Sequence, residues 1–236
     1  MDLKQNNKLL LEMKGGDNFN SFFDKIFFLP LSEKLVKPCG KFKITPNTIT
    51  YLSIIFEFLC IYFYIKNKKL HAIVFHIVAY LLDCIDGKVA REFNLGSSYG
   101  MMLDIMSDLF TNFPLLIVIL YKSIKNKKFM KYLFILVVWS IILNIMNGLV
   151  NILSFLDKDN KNIKENYVNY KENEVKDEIG FLKKSYIKYI KSEYNMHKKI
   201  FKNLNDKNKL KNYLNKIKQF GGGNFNILIC LMLLNI

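Results

Sequence analysis

Four aspartates in one short stretch have the types and spacing to do chemistry. The stretch reads Asp83-Cys-Ile-Asp86-Gly87-Lys-Val-Ala90-Arg91, then eight residues, then Gly100-Met-Met-Leu-Asp104-Ile-Met-Ser-Asp108. The aspartates stand at the inner ends of apolar segments, where a carboxylate costs a few kcal/mol unless something compensates it. On helices, Asp83, Asp86 and Ala90 fall at i, i+3, i+7, and Gly100, Asp104 and Asp108 at i, i+4, i+8, so each set shares a face. Gly87, Ala90 and Gly100 carry almost no side chain and allow a close approach. If the two faces oppose, four carboxylates surround one small volume. Their repulsion calls for cations, and hard oxygen donors favour Mg²⁺, Mn²⁺ or Ca²⁺. Aspartates near helix ends also serve as N-caps or solvated loop residues. That reading accounts for one of them, but not for four at these spacings with three small residues on the same faces.

The stretch resembles the CDP-alcohol phosphatidyltransferase family, whose pattern is Asp-x2-Asp-Gly-x2-Ala-Arg-x8-Gly-x3-Asp-x3-Asp. Asp83, Asp86, Gly87, Ala90, Arg91, Gly100, Asp104 and Asp108 match every fixed position with the right gaps. The resemblance implies an all-α, polytopic membrane enzyme with six transmembrane helices, which moves a substituted phosphate from a CDP-linked donor to an alcohol and releases CMP. It also implies a homodimer and, in a eukaryote, the endoplasmic reticulum membrane. Around the motif, Ala90-Arg91-Glu-Phe-Asn94 and Tyr99-Gly100-Met-Met-Leu-Asp104 look most like phosphatidylinositol synthases, so CDP-diacylglycerol and inositol are the favoured donor and acceptor. Phosphatidylglycerophosphate synthases and the choline or ethanolamine phosphotransferases share the core pattern and stay open.

On this reading Asp83, Asp86 and Asp104 are metal ligands for a two-metal Mg²⁺ or Mn²⁺ site. Asp108 shares the metals and is the general base, the role the family gives the last aspartate. Two metals about 4 Å apart stabilise both ends of an in-line displacement. Asp83, Asp86, Gly87, Ala90, Arg91 and Gly100 receive the cytidine diphosphate, Arg91 through bidentate bonds to phosphate or to a carboxylate of the site.

The chain has 236 residues, 51% of them hydrophobic, and a formal net charge of +15. The charge is spread in Lys-Asn clusters, and the long apolar runs have no place in a soluble basic domain. Nucleic-acid binding is therefore set aside. Lysines beside apolar helices suit anionic lipid headgroups, and the Lys and Asn excess also fits nucleotide bias in the genome. Cys39, Cys60, Cys84 and Cys230 form no Cys-x-x-Cys pair and no zinc-spaced cluster, so they read as reduced thiols or buried small apolar residues. No cleavable signal peptide is evident.

In chain order, residues 1–17 read as a disordered tail and 18–156 as the catalytic core with four spans. Phe22, Phe23, Ile26, Phe27, Leu31, Leu35 and Val36 alternate with lysines and are interrupted by Pro30 and Pro38. An interfacial helix, or a soluble helix packed on the core, fits this pattern. Thr45-Pro46-Asn47-Thr48 opens the first span, which runs to Ile65, long enough for a bilayer of about 30 Å at about 1.5 Å per residue. Glu57 breaks its apolar run, either as a second shell to the aspartates, as a snorkelling residue or in a helix contact. The Pro-Asn pair is again like the family. Many relatives carry an arginine soon after it, where this chain has Tyr51-Leu52-Ser53.

The second span is Leu70 to Leu82, carrying His71 and His76, which are poorly spaced for joint ligation and read as packing residues. The third runs from Gly100 to about Tyr121 with a kink at Pro114, and the fourth from Phe129 to Phe155, with Asn144 and Asn147 able to bond across helices. Residues 157–195 read as a Lys/Asn-rich insertion without a sustained apolar period. Residues 196–236 read as a basic amphipathic helix and a partial fifth span, with Gly221-Gly222-Gly223 between them. His197-Lys198 and Leu210 to Tyr213 can stand for the Ser-His-Lys segment of the inositol enzymes, without its serine. A chain that stops within its fifth span is truncated or has lost its last helices. An inactive membrane scaffold and a divalent-metal transporter are the readings of other classes.

Overall fold

A computed structural model describes residues 20–157, 180–200 and 206–236. The expected tail, residues 1–17, lies outside them. A π-helical turn, Asp24–Phe28, leads into α1, Leu29–Lys41. Next come α2, Pro46–Ile65; α3, Lys69–Glu92; α4, Ser98–Lys125; and α5, Phe129–Asp157. After the undescribed 158–179 follow α6, Phe181–Ile200; α7, Lys207–Ile217; a 3-10 turn, Lys218–Phe220; and α8, Gly222–Asn235. The described residues contain helices and no strand. They fall into two compact units, one of residues 22–138 and 223–236, the other of residues up to 21 and 139–222.

In the first unit, the ends of α1 to α4 share one device. Lys43, Asn67, Asn94 and Lys127 have φ between 53° and 60°. In each case the next residue's N–H reaches back five residues: Ile44 to Cys39, Lys68 to Phe63, Leu95 to Ala90 and Lys128 to Ser123. This Schellman arrangement satisfies carbonyls that would otherwise end unpaired. At two of the four stops the left-handed residue is Asn, which adopts that conformation more readily than other non-glycine residues. Two of the starts are capped by side chains, Thr45 Oγ1 accepting from Thr48 N–H at 3.3 Å and Ser97 Oγ from Gly100 N–H at 2.9 Å. The expected starts at Thr45-Pro46 and near Gly100 are thus explained by specific caps. Helix α4 continues through Pro114 to Lys125.

The segment from Phe22 through α1 has two unlike faces. Phe28 and Val36 are buried, Val36 packing with Ile49, Ile85 and Val89 of α2 and α3, while Phe22, Ile26 and Phe27 are exposed. Two bonds lock the start of this segment onto α8. Gly223 N–H donates to Asp24 Oδ2 at 3.2 Å, and Phe23 N–H donates to Asn224 Oδ1 at 3.1 Å. Tyr80 of α3 donates to the other Asp24 oxygen at 2.8 Å.

Stretches in α2, α3, α4 and α5 are long and apolar enough to cross a membrane, and 208–235 is a fifth. The last is broken by the 3-10 turn and by Gly221, whose ψ of 174° is extended. Its unbroken apolar part, α8, is about 20 Å long at about 1.5 Å per residue. The chain is a multi-pass membrane protein of the all-helical class. In the second unit, α6 occupies part of the expected insertion, and the boundary drawn at 195/196 falls inside it. Its apolar period is carried by Tyr186, Ile190 and Tyr194, all buried. Tyrosine, counted as polar composition, conceals this i, i+4, i+8 stripe. In the same unit, Trp139 Nε1 donates to Phe220 O at 2.9 Å, and the two rings stand edge to face.

Candidate active site

Helix α3 does not end at Leu82. It carries the first half of the aspartate stretch on its last three turns and stops at Glu92. Ser97 then caps α4 at the second half. Both halves are thus helical, as the spacing requires. Asp83, Asp86 and Asp104 each present a carboxylate oxygen within 4.8 Å of the others, with Asp86 buried and the other two half-buried. Three carboxylates this close repel strongly in a medium of low dielectric constant, which is the condition a divalent cation relieves. Their all-oxygen character suits a hard cation. Asp108 lies one turn beyond Asp104 on α4, and its side chain is outside the described residues.

The small residues differ in what surrounds them. A Cβ added at Gly87 would meet only the Arg91 guanidinium, at 3.2 Å from Nη1. A Cβ at Gly100 would stand 3.0 Å from Asn47 Oδ1 and 3.2 Å from Ser97 Oγ. Protein packing therefore asks for no glycine at 87 beyond the movable Arg91 tip. Arg91 lies back along α3 over Gly87 and interacts electrostatically with Asp86 and Asp104.

Helix α2 supplies a residue that the spacing argument missed. Thr50 Oγ1 donates to Asp86 Oδ2 at 2.5 Å, with both side chains buried. The backbone carbonyl of Pro46, the usual acceptor for a helical threonine, is farther at 3.2 Å. The signal was present: Thr50 is a polar residue in an apolar run, one heptad before Glu57. Glu57 itself bonds the His76 ring, Nδ1 lying 2.9 Å from Oε1 and 3.1 Å from Oε2. It is therefore in a helix contact and, among the described residues, shares no hydrogen bond with the aspartates, and His76 is a buried partner. His71 stacks on Phe63. Tyr51 places its hydroxyl 2.8 Å from that of Tyr99, and Ser53 donates to the Ala79 carbonyl at 2.9 Å. Asn147, His197 and Lys198 have side chains outside the described residues.

Comparison with known proteins finds partial matches. The human CDP-diacylglycerol--inositol 3-phosphatidyltransferase is 39% identical over 67 residues, which is 28% of this chain and 31% of that enzyme. The enzyme of the same name from Candida albicans is 38% identical over 66 residues, 27% of each chain. A Schizosaccharomyces pombe protein, a cardiolipin synthase (CMP-forming) / mitochondrial hydrolase fusion, is 29% identical over 103 residues, 43% of this chain and 17% of its own. The chain thus spans less than a third of the length of each of these relatives. No solved structure matches it. The profile of CDP-alcohol phosphatidyltransferases matches residues 43–177, more than half of the chain and all of the aspartate stretch, and the chain belongs to that family.

Proposed function

We propose that the chain transfers a phosphatidyl group from CDP-diacylglycerol to a small alcohol, inositol first, and releases CMP. The observation that carries this is the convergence of Asp83, Asp86 and Asp104 from two helices onto one point, beside Gly87, over which only the movable tip of Arg91 stands. The inositol transferases among the relatives support the acceptor. The cardiolipin synthase fusion keeps other phosphatidyl acceptors in play, as do glycerol 3-phosphate and the choline or ethanolamine pairings.

Asp83, Asp86 and Asp104 would hold Mg²⁺ or Mn²⁺. Such cations, when bound, neutralise the carboxylates and supply positive charge to the diphosphate. Gly87 and Ala90 leave room for the nucleotide along α3. Arg91 offers two parallel N–H groups to a phosphate or holds a carboxylate of the site in place. Asp108 takes the proton of the attacking hydroxyl. The alcohol oxygen forms a bond to the phosphorus that bears diacylglycerol, and the bond from that phosphorus to the oxygen of CMP breaks, CMP leaving with the electron pair. A carboxylate is too weak a base to ionise an alcohol in advance, so proton transfer accompanies P–O bond formation. A homodimer and, in a eukaryote, residence in the endoplasmic reticulum membrane belong to the same proposal.

The test is CMP release from membranes containing the chain, given CDP-diacylglycerol, Mg²⁺ or Mn²⁺, and inositol or glycerol 3-phosphate separately. A parallel set pairs CDP-choline or CDP-ethanolamine with diacylglycerol. The expected result is CMP with inositol, abolished in Asp108→Asn. Activity with another pair replaces the acceptor and keeps the chemistry. No CMP from a well-folded protein under any pairing overturns the enzymatic reading in favour of a scaffold.

A further inference from the structure

A second cluster of ligating side chains lies in the same unit, and the transfer reaction does not use it. Glu57 and Cys60 stand one turn apart on α2, and His76 faces them from α3. Each offers a ligand atom within 4.8 Å of the others. All three are buried, at 4%, 0% and 2% exposure. Cys230 of α8, also buried, interacts electrostatically with Glu57 and Cys60. The Glu57–His76 bond explains one ring nitrogen only. His76 Nε2 is buried and has no hydrogen-bond partner among the described residues. Nδ1 is the nitrogen that faces Glu57, and a thiol beside a His–Glu pair adds nothing that the pair requires.

We propose that Glu57, Cys60 and His76 form a transition-metal site of the zinc class, separate from the aspartate site. The donor set is one carboxylate oxygen, one thiolate and one imidazole, which selects Zn²⁺ over Mg²⁺ by ligand softness. Tetrahedral Zn²⁺, with metal–ligand distances of about 2.0–2.3 Å, needs ligand atoms about 3.3–3.8 Å apart. Glu57 Oε1 and His76 Nδ1 already lie 2.9 Å apart, and the Cys60 sulfur, within 4.8 Å of a ligand atom on each, makes the larger adjustment. Charge also favours it. A dication with one carboxylate, one thiolate and a neutral imidazole sums to zero, the cheapest total at membrane depth. Binding displaces one proton from the Cys60 thiol.

His76 and Asp86 are ten residues apart on α3, about 15 Å along the axis, so one cation does not serve both clusters. The site braces α2 against α3 and does not touch the reacting groups.

The test uses the full chain in lipid nanodiscs with Co²⁺ as a spectroscopic probe. The expected result is about one Co²⁺ bound with a thiolate-to-cobalt absorption band, lost on adding Zn²⁺ and kept in excess Mg²⁺. The band should disappear in Cys60→Ser and persist in Asp86→Asn and in Cys84→Ala, the thiol next to the aspartate site. In parallel, Zn²⁺ should slow alkylation of Cys60 in the unmodified chain at least about tenfold, read by mass spectrometry; this measurement decides if the Cys60 variant does not fold. Absence of the band together with unchanged Cys60 alkylation reduces the cluster to a His–Glu ion pair and overturns the proposal. A band that survives Cys60→Ser but not Asp86→Asn or Cys84→Ala assigns the metal to the aspartate site and overturns it equally.

Discussion

Replacing Thr50 with valine deletes one hydroxyl and leaves the shape of the side chain nearly intact. That hydroxyl donates to Asp86 Oδ2 at 2.5 Å in a buried setting, so the change removes a charge-assisted hydrogen bond. Such bonds are worth about 1.5–3 kcal/mol, and each 1.36 kcal/mol is a factor of about ten. The expected loss in kcat/KM is therefore about 10- to 100-fold, the range typical of residues that orient a metal-ligating carboxylate. It should come with a shift of the Mg²⁺ or Mn²⁺ activation midpoint to higher concentration, because an unheld carboxylate ligates less well. Thr50→Ser keeps the donor and should recover most of the activity. The assay is CMP release across a metal titration, with thermal stability measured alongside. Thr50→Val activity within about threefold of the parent, at an unmoved metal midpoint, would refute the positioning role.

Three further outcomes are expected. Gly87→Ala should fold with a thermal midpoint like the parent's, since only the flexible Arg91 tip is near, yet bind donor poorly, raising KM about tenfold or more; a matched loss of stability would mean that packing, not ligand space, sets this position. Gly223→Ala would put a Cβ 2.3 Å from Asp24 Oδ1 and 2.7 Å from its backbone nitrogen. It should cost about 1–3 kcal/mol as overpacking, seen as a lowered midpoint in detergent and absent if the π-helical turn yields freely. Gly40→Ala meets the Phe93 ring at 2.1 Å. Its destabilisation should be relieved in the Gly40→Ala/Phe93→Ala double variant, measured as a non-additive shift in midpoint.

The sequence made the aspartates legible because their chemistry is repeated at helical spacing, and both halves are helical as that spacing demands. Two helix starts were nearly as readable, at Thr45-Pro46 and near Gly100, whereas the second span, read to Leu82, runs on to Glu92. Partnerships between helices were not. Nothing local says that Thr50 meets Asp86, that Glu57 meets His76, or that Asp24 caps α8, because each pairing joins residues 19 to 199 positions apart. The stripe on α6 was hidden for another reason: tyrosine buries its ring while counting as polar.

Those partnerships share a geometry with a consequence. Along the antiparallel seam of α2 and α3, Thr50 meets Asp86, Ser53 meets the Ala79 carbonyl, and Glu57 meets His76. Between membrane helices apolar side chains discriminate poorly among registers, because lipid is as apolar as leucine. The polar contacts must then set the register, and a slip of one turn, about 5.4 Å, breaks all three. Glu57 would thus hold Thr50 on Asp86 from seven residues away, about 10 Å along the helix, where substitutions ordinarily act independently. A double-variant cycle separates the two possibilities. Glu57→Leu should lower transfer activity although Glu57 touches no reacting group, and Thr50→Val should cost less in the Glu57→Leu background than alone, with a coupling of at least about 0.5 kcal/mol. Glu57→Gln, which still accepts from His76 Nδ1, should show little of either effect. Strict additivity would mean that the aspartate site is held by its own two helices, with no contribution from the register of the first span.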